Sequence, residues 1–187
     1  MSTSLTKGFV LKRESWNEYD CLYTIYTERL GKVKAITKGA KKVLSKLGSH
    51  LEPFFEVELM IVHGRAWPII AAAKAGSNYS IIKQDYHRII IAAYFMEALN
   101  NLVDCDYYDK YVFDVLKGFI NDLADHDSFK DDVIILNKYL YNLLKYLGYQ
   151  PVVKSNNQKR LVRELYQAVV AAGEKDVNSF HSLKVFI

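Results

Sequence analysis

Up to about residue 80, apolar and polar residues alternate with a period of two. FVLKR (9–13), DCLYTIYT (20–27), KVKAIT (32–37), FFEVELMIVHG (54–64) and WPIIAAAK (67–74) are short runs rich in Val, Ile, Tyr and Thr, set apart by Gly, Asn, Asp and Pro. Such runs predict five β-strands. Between the third and fourth lies KKVLSKLGSHL (41–51), where Val43, Leu44, Leu47 and Leu51 fall near helical spacing and Gly48 limits the regularity.

Beyond Ser77 the period changes to 3.6. Apolar residues recur at i, i+3, i+4 and i+7 in 84–103, 108–125, 131–149 and 158–173, which predicts four amphipathic helices. Asp127 and Ser128 are candidate N-caps, while Gly148 ahead of Pro151, and Gly173, are candidate stops. GSNYS (76–80) interrupts both patterns, so the expected division is 1–77 and 78–187. The fold class that follows is α+β: a small five-stranded barrel, then a helical domain. A five-stranded barrel with a short helix after its third strand is the oligonucleotide-binding (OB) arrangement, which presents one face and adjoining loops to nucleic acid.

Charge sharpens this division. Residues 1–80 hold twelve Lys/Arg against seven Asp/Glu, and 81–187 hold thirteen against fourteen, a net of +5 against −1. Seven of the twelve (Arg29, Lys32, Lys34, Lys38, Lys41, Lys42 and Lys46) fall between Arg29 and His50, a window with no acidic residue. One-sided clustering of this kind is the footprint of a surface that meets phosphate. In GKVKAITKG, alternation throws Lys32, Lys34 and Lys38 onto one face as an expected ridge of ammonium groups. Gly39 beside them permits close approach of backbone to phosphate.

The same stretch carries a likeness. Thr27, Gly31, Lys38-Gly39-Ala40, Ser45-Lys46-Leu47, Leu51, Pro53-Phe54 and Gly64-Arg65 resemble, in order and spacing, the amino-terminal half of the bacterial DNA repair protein family RecO. The likeness covers residues 5 to 75, with a helix-rich continuation of compatible type. The resemblance implies a recombination mediator that is not an enzyme. It would bind single- and double-stranded DNA, anneal complementary strands, contact single-strand binding protein, and work with RecR to load RecA. It also places the receptor for the acidic tail of single-strand binding protein in the helical half. There a groove between residues 84–104 and 130–148, rimmed by Arg88, Lys138 and Lys145, is the expectation. Many members of the family carry a cysteine-rich zinc-binding insertion in the second half. Here the corresponding stretch, GYQPVVKSNNQKRL, has no Cys, so neither metal nor cofactor is expected.

Catalytic patterns are absent from the sequence. His50, His63, His87, His126 and His181 show no metal-ligand spacing, and no phosphate loop of the GxxxxGK[ST] type occurs. Cys21 and Cys105 lie far apart in mildly apolar contexts and read as core thiols of a reducing compartment. Tyr19, Tyr23 and Tyr26 lie on or beside the second strand, and Trp16 and Trp67 at strand ends. Each fits either core packing or a stack on an unpaired base. With 187 residues, half of them apolar and a quarter charged, the chain can bury a sizeable core. The most apolar stretch, IIIAAYFMEALNNLV, is broken by Glu97 and two Asn, and the amino-terminal residues lack a signal core. A cytoplasmic protein without a membrane partner is therefore expected, and the resemblance implies a bacterial, nucleoid-associated one. Two other readings share the same residues: an RNA-binding OB module, and an adaptor whose basic ridge meets an acidic peptide.

Overall fold

The computed structural model describes residues 2–187 except 42–45, 54–55, 65, 78, 106 and 126–127, and leaves out the Lys46 side chain. Five strands close into a barrel: β1 (Ser2–Ser15), β2 (Cys21–Thr27), β3 (Gly31–Thr37), β4 (Glu56–His63) and β5 (Ile69–Ala75). Their order is β1-β2-β3-β5-β4, and β4 returns to β1. All neighbours are antiparallel except β3 and β5, which run parallel with Ile36 opposite Ile69. A short helix, α1 (Lys46–His50), sits between β3 and β4. This is an OB-type barrel.

Closure rests on β1, which is long enough to serve two partners. Residues 2–9 pair with β4, while 8–15 pair with β2. Gly8 is at the overlap, where a Cβ would lie 2.8 Å from the Ile25 side chain and 2.9 Å from the Tyr26 carbonyl oxygen. The register then shifts between Val10 and Lys12, a bulge that adds local twist as the strand rounds the corner. Val10, Cys21, Tyr23, Ile25, Val33, Ala35, Val57, Leu59, Ile61 and Ile70 fill the interior. These are the alternate positions that a period of two directs inward.

β2 departs from that alternation, because all seven of its residues are buried. Part of the cover comes from far along the chain. Two compact units divide the molecule: residues 1–78 with 104–113, and residues 79–103 with 114–187. The returning segment lies on the outside of the barrel. Cys105 bridges Lys32, the Tyr26 hydroxyl donates to the Asp109 carbonyl at 3.2 Å, and the Phe9 and Phe113 rings lie 5.9 Å apart. Gly31, at φ +67, is so close that a Cβ would fall 2.0 Å from the Tyr107 carbonyl oxygen. Only glycine fits there. The expected division at residue 77 therefore leaves out a piece of the first unit that lies some thirty residues downstream.

The second unit holds α2 (Ser80–Gln84), α3 (Tyr86–Leu102), α5 (Phe129–Tyr146), α6 (Gln158–Gly173), α7 (Asn178–Leu183) and, from Asp114 on, α4 (Lys110–Asp125). α3 packs against α2, α5, α6 and α7. It is buried around most of its girth, Ile90, Ile91, Ala92, Tyr94, Phe95, Met96, Ala98 and Leu99 included, so it is not amphipathic as its periodicity suggested. A helix apolar all round belongs in the middle of a core. Asp85 caps α3 by accepting from the backbone N–H groups of His87 and Arg88, and Asn157 caps α6 in the same way. Ser128 stands at the N-cap of α5 without a side-chain cap bond, and Asp127 lies outside the described residues. α5 ends in a Schellman turn: Gly148 at φ +89, with N–H bonds from Gly148 to the Lys145 carbonyl and from Tyr149 to the Leu144 carbonyl. At the end of α6 the left-handed residue is Glu174 rather than Gly173. Gly173 instead makes room for Asn101, whose carbonyl oxygen would be 3.1 Å from a Cβ there.

Candidate nucleic-acid interface

The acid-free window of the sequence becomes a β-hairpin and the turn beyond it, and this geometry separates its charges. Arg29 occupies the β2–β3 turn, closed by Thr27: the Thr27 hydroxyl donates to the Gly31 carbonyl and accepts from the Leu30 N–H. Lys38 stands past the other end of β3. Six residue steps of about 3.3 Å put roughly 20 Å between the two ends. Arg29 instead borders a groove of about 540 Å³ over β1, β4 and β5, beside Lys7, Glu28, Glu58, Met60 and Lys74. Acid and base alternate there, with Lys7 3.8 Å from Glu58.

Lys32 is a correction to the expected ridge. It does lie on the outer face of β3 with Lys34, but it is only 7 % exposed because residues 104–113 run over it. An ammonium in that position meets protein, not a phosphate. Lys34, Lys38 and Lys41 are exposed. Lys42 lies outside the described residues, and nothing is described of the Lys46 side chain. The seven candidates are thus not one surface: the structure brings Lys38, Gly39 and Lys41 together, with Lys34 on the adjoining strand.

The loop between β1 and β2 joins them. Asp20 accepts a 2.8 Å bond from the Gly39 N–H, the Lys41 N–H donates to the Tyr19 carbonyl at 3.0 Å, and Lys41 Nζ donates to the Asn17 carbonyl at 2.6 Å. Gly39 has φ +68, the left-handed region where glycine is at no disadvantage. The Gly39 bond, then that from Asn17, and then the charges of Lys38 and Lys41 hold the Asp20 carboxyl below its ordinary pKa. Asp20 is therefore engaged as a clamp between the β1–β2 loop and the turn that carries Lys38 and Lys41. The β4–β5 loop is attached too, because the Ile36 N–H donates to the Pro68 carbonyl at 2.8 Å. Trp16 from one loop and Trp67 from the other meet edge-on, with ring centroids 5.3 Å apart.

Sequence reasoning overlooked Arg13. It is exposed at the barrel rim, its guanidinium 5.8 Å from the Tyr23 ring centroid. The signal was available, since Arg13 lies on the strand that ends at the same loop, but it falls outside the acid-free window. Tyr23 and Tyr26 are fully buried, so neither is a stacking platform, whereas Tyr19 is exposed. Cys21 is buried as expected of a core thiol, but Cys105 is exposed. Among the described residues, no three His, Cys, Asp or Glu come together to hold a metal, and no helix is long and apolar enough to cross a membrane. In the helical unit Arg88 is not a rim residue. It is buried, with Nε 3.3 Å from Asp132, whereas Lys138 and Lys145 are exposed.

Comparison with known proteins bears on both units. The amino-terminal domain model of recombination protein O matches residues 1–78, and its carboxy-terminal domain model matches residues 83–158. The chain belongs to the RecO family. Its similarity to the DNA repair protein RecO of a Roseiflexus species is 30 % identity, covering 78 % of this chain and 50 % of that protein. For RecO of Frankia casuarinae the identity is 32 %, over 76 % of this chain and 59 % of the relative. For that of Alkaliphilus metalliredigens it is 26 %, over 80 % and 60 %. The chain thus spans half to three-fifths of the length of these RecO relatives. Thr27 and Gly31, two of the RecO-like residues, meet in one turn beneath residue 107, a structural role, while Lys38-Gly39-Ala40 forms the clamped basic turn. Ser45, Phe54 and Arg65 lie outside the described residues.

Proposed function

We propose that this chain serves DNA repair and recombination as a non-catalytic mediator that binds single- and double-stranded DNA. The contacts assigned are Lys34, Lys38, Lys41 and the backbone at Gly39, with Arg13 added, Arg29 secondary and Lys32 left out. The observation that carries the reading is that RecO family models match both units in order, on an OB barrel whose clamped end presents Lys38 and Lys41. Ammonium and guanidinium groups there neutralise phosphates and lower the repulsion between two strands, which is what annealing on a protein surface requires. No bond is made or broken. Single-strand binding protein, RecR and, through them, RecA are the proposed partners. The tail of single-strand binding protein is assigned to the helical unit near Lys138 and Lys145. The proposed setting is the nucleoid of a bacterial cytoplasm.

The test is annealing of complementary oligonucleotides with and without single-strand binding protein. Faster annealing in both cases is expected. Binding without annealing would reduce the reading to a plain DNA-binding module, and tighter binding of RNA of equal length would replace it with an RNA module.

A further inference from the structure

Two tryptophans are the whole tryptophan content of the chain, and they touch. They come from different loops, Trp16 between β1 and β2 and Trp67 between β4 and β5, yet neither is buried: each exposes 41 % of its surface. Single exposed apolar residues are ordinary on protein surfaces. A pair of the largest side chains brought together from two loops and left in water is not, because burying either would stabilise the fold.

The loops that carry the pair are tied down at their backbones. The Trp16 backbone N–H donates to the Asp20 carbonyl at 3.1 Å, the Asp20 carboxylate accepts from the Gly39 N–H, and the Tyr19 carbonyl accepts from the Lys41 N–H. On the other side, the Pro68 carbonyl is bonded to β3 through Ile36. The two indoles stand at 64°, so they form a corner rather than a closed stack. A planar ring laid on one indole meets the other across its edge. The basic neighbours linked to these loops are Lys38, Lys41 and, at the rim, Arg13; the acidic ones are Asp20, held by Gly39, Glu18, which takes a hydrogen bond from Tyr19, Glu14, paired with Lys12, and Glu52, whose charge acts on Arg13. An aromatic corner among cations matches one kind of occupant, a flat ring attached to a phosphate chain.

We propose that the Trp16–Trp67 corner is a stacking site for an unpaired base of single-stranded DNA, gripped while Lys38 and Lys41 hold the adjoining phosphates. This rests on the DNA-binding reading above and adds strand preference to it, because a base in a duplex has no free face to offer. It also assigns specificity for unpaired strands to the two loops, leaving phosphate affinity to the lysines.

The tryptophans themselves provide the readout, since all indole emission of the intact chain arises at this corner. The chain is titrated with an oligothymidylate of about 16 nucleotides, the upper site size of one OB barrel. Parallel titrations use an abasic strand of the same length and a duplex, excitation is at the red edge where tyrosine does not absorb, and binding is followed separately by anisotropy of an end label. Emission is expected to fall with oligothymidylate and to stay level with the abasic strand and the duplex. Trp16→Ala with Trp67→Ala is expected to weaken oligothymidylate binding roughly 5- to 150-fold, from the usual worth of one base stacked on an aromatic ring, and to leave abasic binding unchanged. Trp67→Phe should retain most of the affinity. Binding of oligothymidylate with unchanged emission, or equal quenching by the abasic strand, overturns the stacking site while leaving the phosphate contacts standing. No binding of any strand at low salt overturns both. Because the native chain supplies the emission result, the answer does not depend on the double variant folding.

Discussion

The two units use charge in opposite ways. In the helical unit, several charged and polar side chains are directed at the protein. Arg88 and Asp132 pair in the core, and Glu97 accepts from the backbone and side chains of Asn178 and Ser179 at the start of α7. Asn137 donates to the Gln158 carbonyl and side chain. In the barrel unit, the core is sealed by alternate apolar side chains, and Lys34, Lys38 and Lys41 remain at the surface. The helical unit buries an ion pair in its core, whereas the barrel keeps most of its ionic groups at the surface, where Asp20 and Lys41 tie its loops together. Charge counts separate the two units, and the pairing shows where part of the helical unit's charge is placed: Arg88 and Asp132 are in its core.

That contrast is most exposed in the helical unit. Arg88→Met should remove about 3–5 kcal/mol of stability, because it strands the Asp132 carboxylate in the core. The paired change Arg88→Met with Asp132→Leu should recover most of it. Denaturant unfolding of the three proteins measures this, and a single variant that loses less than about 1 kcal/mol would mean that the charges do not support the fold.

In the barrel the counterpart is steric. Gly31→Ala combines a positive φ with a backbone collision at Tyr107, and an expected loss of about 2–4 kcal/mol follows. Thermal unfolding checks it. A Lys34→Ala variant, altered at an exposed position of the same strand, should be within about 0.5 kcal/mol of the parent.

Salt dependence tests the surface charges. Four phosphate contacts, from Arg13, Lys34, Lys38 and Lys41, give a slope of log K against log salt of about −2.8 for single strands, whereas the seven of the acid-free window would give about −4.9. Lys38→Ala with Lys41→Ala should flatten the slope by about 1.4, with a stability loss of no more than about 1 kcal/mol from the exposed Lys41–Asn17 bond. An unaltered slope would remove the clamped turn from the interface.

The smallest effect is in acid. Hydrogen bonds from Tyr166 and His181 hold Asp176 at about 2, below its ordinary 3.8. A depressed carboxylate stabilises the fold above its unfolded pKa, and the contribution disappears as pH falls toward the folded value. Asp176→Asn should therefore have a lower melting temperature than the parent at neutral pH, with the two converging between pH of about 4 and about 2. Asp20→Asn should behave alike in direction in the barrel unit, since Asp20 is also held low.

How much of this was legible in the chain differs between elements. A period of two located all five strands, because only that alternation fits one face of a closed barrel. The main helices were legible for the same kind of reason. α2 and α7, five and six residues long, were not, since they are shorter than two turns and show no periodicity. Lys32 was misread because alternation reports which side of a strand a residue occupies and never what covers that side. The warning lay one strand earlier: in CLYTIYT the outward Leu22, Thr24 and Tyr26 offer no charge to water, as suits a strand covered on both faces. For α3, the run IIIAAYFM is a better guide than its periodicity, because an unbroken apolar run has no polar face to show.

Residues 104–113 bear on how such a protein can be taken apart or exchanged. A cut after residue 78 follows the family boundary and looks like a natural seam, but it strips the cover from Tyr26, Phe9 and Gly31 and leaves a barrel with an open flank. Transplanting the barrel between relatives therefore takes two exchanges along the gene, one over the strands and one over residues 104–113, which include the first turn of α4. A lineage that swapped only the first would inherit a lock without its bolt.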